Sequence, residues 1–162
     1  DKTQSLYIVG DDAGGALAVA VAIAAAKEKL RRANALYLIS PFCDLNLASR
    51  SIGENGPIDP WYKRNSLILY AARYIQNADL RDLRLSVLNA DLSGLPPLLI
   101  HAAREETLRD DAVRFAEVAK KAGVNVNLSL FNDTVHAFPL FAELPETVDA
   151  LSAWSAFAES HP

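Results

Sequence analysis

Val9-Gly10-Asp11-Asp12-Ala13-Gly14-Gly15 lies between a short apolar run and a long alanine-rich one. Ser5-Leu6-Tyr7-Ile8-Val9 is β-rich and stops at glycine, which reads as a strand. Residues 12–31 read as a helix. The small residues Gly10, Ala13, Gly14 and Gly15 let the strand turn sharply into that helix, and the turn pushes the Asp12 side chain up at the helix N-terminus. A strand feeding straight into a helix is the repeating unit of a parallel α/β sheet.

Further units follow. Ala35-Leu36-Tyr37-Leu38-Ile39-Ser40 is a near-continuous apolar strand stopped by Pro41. Residues 44–58 are loop-like, punctuated by Gly53, Gly56 and Pro57, with Asp59-Pro60 just beyond. Periodicity predicts a helix over 61–76, with Trp61, Tyr62, Tyr70 and Tyr74 on a covering face, and residues 77–97 look irregular. Leu98-Leu99-Ile100-His101-Ala102 is a third buried strand. Residues 108–122 form an amphipathic helix with Leu108, Ala112, Phe115, Ala116 and Ala119 on one face, closed by Gly123. Residues 124–131 alternate with period two, as a half-exposed strand does, and Pro145 opens a last helix reaching about Ser160. The pattern predicts one α/β domain over 1–162, a mostly parallel sheet with helices on both faces, and residues 44–96 as a loop-and-helix excursion between strands.

The 162 residues are 51% hydrophobic, enough for a core, and 16 basic against 20 acidic side chains give a net charge of −4 without a basic stripe. That balance argues against nucleic acid as a partner. The apolar run 16–26 ends in Lys27-Glu28-Lys29 and is too short to span a bilayer, so a helix buried all round against the sheet is expected. A lone Cys43 excludes an internal disulfide and a zinc-ligand pattern and fits a reducing, cytoplasmic setting. Neither a metal nor a cofactor is expected.

Gly10-Asp11-Asp12-Ala13-Gly14-Gly15 resembles the GDSAGG nucleophile elbow of the hormone-sensitive-lipase-like carboxylesterases, a group of the α/β-hydrolase fold. Other segments resemble that family in the same order. Ile39-Ser40-Pro41-Phe42-Cys43-Asp44 is similar to its I-S-P-W-x-D, and residues 91–100 to its D-L-x-G-L-P-P-x-L-I. Glu106-Thr107-Leu108-Arg109-Asp110-Asp111 resembles the segment holding the triad acid, and His136-Ala137-Phe138 the H-x-F of the triad histidine. The resemblance covers nearly the whole chain and implies the C-terminal half of an α/β-hydrolase fold. It further implies Glu106 as the acid orienting the imidazole, His136 as general base, Asp12 in the nucleophile's seat and the Ala13 N–H as an oxyanion donor. Glu105 is a neighbouring alternative that the L-R-D-D register disfavours, and Gly10, Asp11, Gly14 and Gly15 complete the elbow. The implied ligand is a small acyl ester.

Two departures matter. The family's upstream half, including the H-G-G-G loop with the other oxyanion donors, has no counterpart in these residues, and the serine is replaced. Either departure costs orders of magnitude in ester hydrolysis. A carboxylate has no proton to pass to histidine, and its attack on an acyl carbon gives an anhydride that collapses back. An Asp12–His136 ion pair and weak or absent esterase turnover are therefore expected. A carboxylate does act at saturated carbon. Haloalkane dehalogenases and epoxide hydrolases share the fold and carry G-x-D-x-G elbows, whose aspartate forms an alkyl ester that a histidine-activated water hydrolyses. Trp61 and Tyr62 are the candidates here for the leaving-group donors such enzymes need. A third expectation is a non-catalytic binding protein derived from an esterase.

Plainer roles stand beside these. Asp12 can serve as a helix N-cap, Asp110 and Asp111 as helix-surface charges and His101 as a satisfied polar group, and Ser40 and Ser93 could be substitute nucleophiles only by accident. The strand at 5–9 is central in the family's sheet. With one neighbour missing its edge is expected to recruit a partner chain or a second copy.

Overall fold

The computed structural model describes residues 4–78 and 86–162. Four strands, β1 (Tyr7–Asp11), β2 (Ala35–Ile39), β3 (Leu98–Ala103) and β4 (Val126–Phe131), form one parallel sheet in sequence order. Between and after them run α1 (Ala13–Lys27), α2 (Ser51–Glu54), α3 (Arg64–Ile75), α4 (Arg109–Lys121) and α5 (Pro145–Glu159).

Every residue of β2 and β3 is buried, so their alternating side chains need cover on both faces. On one face Leu36, Leu38, Leu98 and Ile100 pack with Ala18 and Val19 of α1 and Phe115 and Ala116 of α4. On the other, Tyr37, Ile39 and Leu99 meet Phe157 and Trp154 of α5, whose indole stacks on the Tyr37 ring at 5.1 Å. Parallel strands bring all their C-terminal ends to one rim, where Asp12, Ser40, Glu106 and the loop of His136 follow β1, β2, β3 and β4.

Several expectations shift. The 44–58 segment contains α2, and α3 opens at Arg64 rather than Trp61. The reason for the late start is local: Asp59 Oδ1 accepts the N–H groups of Trp61 and Tyr62, holding both in a turn. β4 begins at Val126, because Gly123 takes φ +83° and Val124 and Asn125 carry the chain back to the sheet. α1 is not buried all round; Gly15, Ala18, Val19 and Ala22 face the sheet while Leu17 and Val21 are more than half exposed. Of the expected irregular stretch, residues 79–85 lie outside the described residues, and a 3₁₀ turn occupies Val87–Asn89. Among the described residues β1 pairs with β2 alone, and no helix is long and apolar enough to cross a membrane.

Candidate active site

The turn from β1 to α1 is as sharp as its glycines suggest. Asp12 sits at φ 50°, ψ −123°, a region that costs a non-glycine residue about 1–3 kcal/mol. Backbone bonds hold it there: its N–H donates to Ile39 O at 3.0 Å, and its carbonyl accepts from Gly15 and Phe42 at 3.0 and 2.9 Å. A Cβ on Gly10 would stand 2.2 Å from the Gly14 carbonyl oxygen, and one on Gly15 2.7 Å from the Pro41 Cβ.

The Asp12 carboxylate neither caps α1 nor pairs with His136, contrary to both expectations. Instead the Tyr62 hydroxyl donates to its Oδ2 at 2.6 Å, while the buried Oδ1 has no partner among the described residues. The Asp59 turn delivers the phenol over the elbow, and burial together with Asp12 pushes the Tyr62 hydroxyl up. The same ring meets the His136 imidazole edge-on, with centroids 4.9 Å apart.

Glu106, not Glu105, is the carboxylate that meets the imidazole. Its Oε2 lies 3.3 Å from His136 Nδ1, an ion-pair distance without the alignment of an N–H···O bond. Burial pulls His136 down, but the Glu106 carboxylate, then Asp12 and Asp59, outweigh it and the net shift is upward. Burial pushes Glu106 up against the pull of His136 and Ser40.

The loop carrying Glu106 is bound to the excursion by polar contacts. Asn55 Nδ2 donates to the carbonyls of Arg104 and Glu106 at 3.0 and 2.8 Å. The Thr107 N–H donates to Asp59 Oδ2 at 2.6 Å, and the Thr107 hydroxyl to the Tyr62 carbonyl at 3.0 Å. Ser40 Oγ donates to Glu106 Oε2 at 2.7 Å and accepts the Ala137 N–H at 3.0 Å. In the sequence Ser40 offers at most an accidental nucleophile, and Asp59-Pro60 only a chain break. The partners are tens of residues away, so no local pattern announces them.

Two further expectations are corrected. Asp111 is fully buried rather than a surface charge: it accepts the N–H groups of Cys43 and Asp44, both at 2.8 Å, and the Ser49 hydroxyl. It thereby anchors the segment that leaves β2. His101 is only half satisfied; Nδ1 bonds the Tyr37 hydroxyl at 2.9 Å, Nε2 has no partner among the described residues, and burial pulls the ring down to about 4.

A cavity of about 320 Å³ opens beside Asp12, walled by Ala16, Leu17, Phe42, Leu67, Tyr62 and Tyr70. It is chiefly apolar and aromatic, with the elbow carboxylate at its mouth. A wider groove of about 580 Å³ between β4 and α5 contains none of Asp12, Glu106 or His136, so size alone does not mark the candidate site. Among the described residues no group of three or more His, Cys, Asp or Glu side chains is arranged to hold a metal.

A family model described as alpha/beta hydrolase fold matches residues 2–140. The chain is 34% identical over 98% of its length to an esterase of Acinetobacter venetianus, and 33% identical over 85% to the carboxylesterase NlhH of Mycobacterium tuberculosis. Those matches take in 53% and 44% of the two relatives, so the chain spans about half their length. A crystal structure of an esterase from the bacterial hormone-sensitive lipase family superposes on 96% of this chain and 52% of that one, with a TM-score of 0.92 at 33% identity.

Proposed function

The chain belongs to the alpha/beta hydrolase fold family, and on that premise we propose that it is a carboxylic ester hydrolase framework with an altered Asp12–Glu106–His136 triad. The observation that carries the reading is the Glu106–His136 contact of 3.3 Å on the rim where the strained elbow presents Asp12. In the serine-type reaction His136 takes a proton from the attacking hydroxyl, Glu106 steadies the imidazolium, and the Ala13 N–H donates to the developing oxyanion. Asp12 has no such proton to give, so ester turnover by this chain is weak or absent.

The test is covalent labelling. Asp12→Ser, treated with an organophosphonate ester, is expected to gain one phosphonyl group at position 12, mapped by mass spectrometry, while the parent gains none. Adding His136→Ala slows the labelling roughly 100-fold or more, since general-base assistance is removed. No adduct on Asp12→Ser when a relative's N-terminal half is supplied in trans, or one indifferent to His136, overturns the reading.

One observation favours a second reaction. Tyr62 places a phenolic donor 2.6 Å from the Asp12 carboxylate. In an epoxide-opening reaction Asp12 attacks a ring carbon, the carbon–oxygen bond breaks, and Tyr62 gives its proton to the leaving alkoxide. Water deprotonated by His136 then attacks the Asp12 Cγ, releasing the diol; the proton on His136 returns to the Tyr62 phenolate. Single turnover in ¹⁸O-water separates this route from direct hydration, because attack at Cγ leaves one ¹⁸O in the Asp12 carboxylate.

The exposed edge of β1 is the surface at which we expect a partner chain or a second copy to pair.

A further inference from the structure

Ser40 is fully buried at the end of β2 and holds φ +45°, a conformation that glycine adopts more readily than serine. Backbone preference therefore does not account for a serine there. Its hydroxyl is used in both directions. Oγ–H donates to Glu106 Oε2 at 2.7 Å, and Oγ accepts the N–H of Ala137 at 3.0 Å. Glu106 Oε2 is the oxygen that faces His136 Nδ1, and Ala137 directly follows His136. Glu106 Oε1 has no partner, so the Ser40 bond is the one hydrogen bond this carboxylate accepts among the described residues.

The backbone beside Ser40 carries the elbow. Ile39 O accepts the Asp12 N–H, Phe42 N–H donates to Asp12 O, and the Ser40 N–H is fixed on His101 O at 2.7 Å. One turn at the end of β2 thus touches the elbow through its main chain and the acid–base pair through a side chain.

We propose that Ser40 is a positioning residue for the Glu106–His136 pair, fixing the carboxylate's rotamer and the backbone behind the imidazole in register with the elbow. The proposal rests on the reading of Glu106 and His136 as an acid–base pair. A buried carboxylate with one orphaned oxygen is free to rotate, and a hydroxyl donor both stops that rotation and favours the ionised form. Without it Glu106 protonates more readily, and His136 loses the nearest of the charges that hold its proton. Asp12 and Asp59 act on the imidazole from the elbow and the excursion and are unchanged by the substitution.

The experiment is an NMR titration of the His136 Cε1–H signal in the full chain, with His101 and His161 as internal references. Ser40→Gly suits the positive φ and removes the whole CH2OH group; Ser40→Ala removes only the hydroxyl, without that relief. Both are expected to lower the His136 midpoint by roughly half a pH unit or more, leaving His161 in place. Ser40→Cys, a weaker donor of similar size, is expected to fall between them and the parent. In a Glu106→Gln background, Ser40→Gly moves the midpoint no further. A midpoint unmoved in Ser40→Gly, or moved equally with Glu106→Gln present, overturns the proposal. Labelling of Asp12→Ser is scored separately: its failure removes the acid–base reading, whereas intact labelling with an unmoved titration removes only the part assigned to Ser40.

Discussion

The Tyr62 hydroxyl donates to Asp12 Oδ2 at 2.6 Å, and this contact, rather than an ion pair with His136, engages the elbow carboxylate, whose Oδ1 has no partner among the described residues. A phenol and a carboxylate at that distance form a charge-assisted bond, here half-buried under the excursion. The excursion is thereby coupled to the elbow as well as to the acid loop.

Tyr62→Phe keeps the ring against His136 and removes only this bond. It is expected to lower unfolding stability by about 1–2 kcal/mol, less than a fully buried charged bond because the site is partly solvated. Urea denaturation of parent and variant measures it. An unchanged midpoint means that water replaces the phenol without loss, and the coupling is then not energetic.

The two glycines that differ most in surroundings make opposite predictions. A Cβ at Gly10 meets the Gly14 carbonyl at 2.2 Å, a backbone atom that cannot swing aside. Gly10→Ala should cost about 3 kcal/mol or more and open the elbow. Gly53, in α2, has nothing within 4 Å of such a Cβ, so Gly53→Ala should stabilise by about 0.4–1 kcal/mol through the unfolded chain. Thermal or urea unfolding of both decides it; equal effects at the two positions contradict the elbow packing.

How much of this was readable beforehand depends on the range of the interaction. The β1–turn–α1 unit is legible because its glycines, its strand and its helix are contiguous, and the three later strands through an apolar run stopped by Pro41, an apolar run following Pro96-Pro97, and period-two alternation after Gly123. Glu106 and His136 were legible through motif context. Ser40, Asn55, Asp59 and Asp111 were not: each acts on backbone or side chains 45 or more residues away, and a lone polar residue carries no mark of that. Asp111 misled most directly, because Asp110-Asp111 at a helix start looks like dipole-favouring surface charge, yet only Asp110 keeps solvent contact. Tyr62 is a donor candidate in the sequence, but its reach over Asp12 depends on the Asp59 turn, whose residues Trp61 and Tyr62 periodicity assigns to the helix.

Two buried groups titrate in one window with opposite sign. His101 falls to about 4 from 6.5, so the unfolded chain binds more protons between those values and the group's stability is lost as pH falls through them. Asp111 rises to about 6 from 3.8, so the folded chain binds more protons and stability is lost as pH rises through that range. Each contributes on the order of 3 kcal/mol, and between pH 4 and 6 the two largely cancel. His101→Gln, whose amide can still bond the Tyr37 hydroxyl, should leave stability declining with rising pH relative to the parent. Asp111→Asn should leave it climbing. Urea midpoints at pH 4.5, 5.5 and 7 for the three proteins test this, since all other carboxylates are common to them. Parallel profiles would show that neither group is held away from its ordinary value.

The two edges of the sheet are built differently, and this predicts where the protein associates. On β4 the exposed positions are Asn127 and Ser129, polar residues that a strand edge in water tolerates. On β1 the exposed Val9 stands on the face shared with Tyr7, while Leu17 and Val21 of α1 lie open on the other face, all three more than half exposed. An unpaired edge with apolar side chains on both of its faces offers backbone bonds and apolar burial to the same incoming strand. Sedimentation velocity should find the chain heavier than its 17.6 kDa monomer at micromolar concentration. Replacing both Val9 and Val21 by lysine charges the two faces without touching the strand's hydrogen-bonding groups, and should shift the distribution toward the monomer. The matching pair Asn127→Lys and Ser129→Lys, on the opposite edge strand β4, should leave it unchanged. A parent that sediments as a monomer, or a response equal for both pairs, would place association elsewhere than at β1.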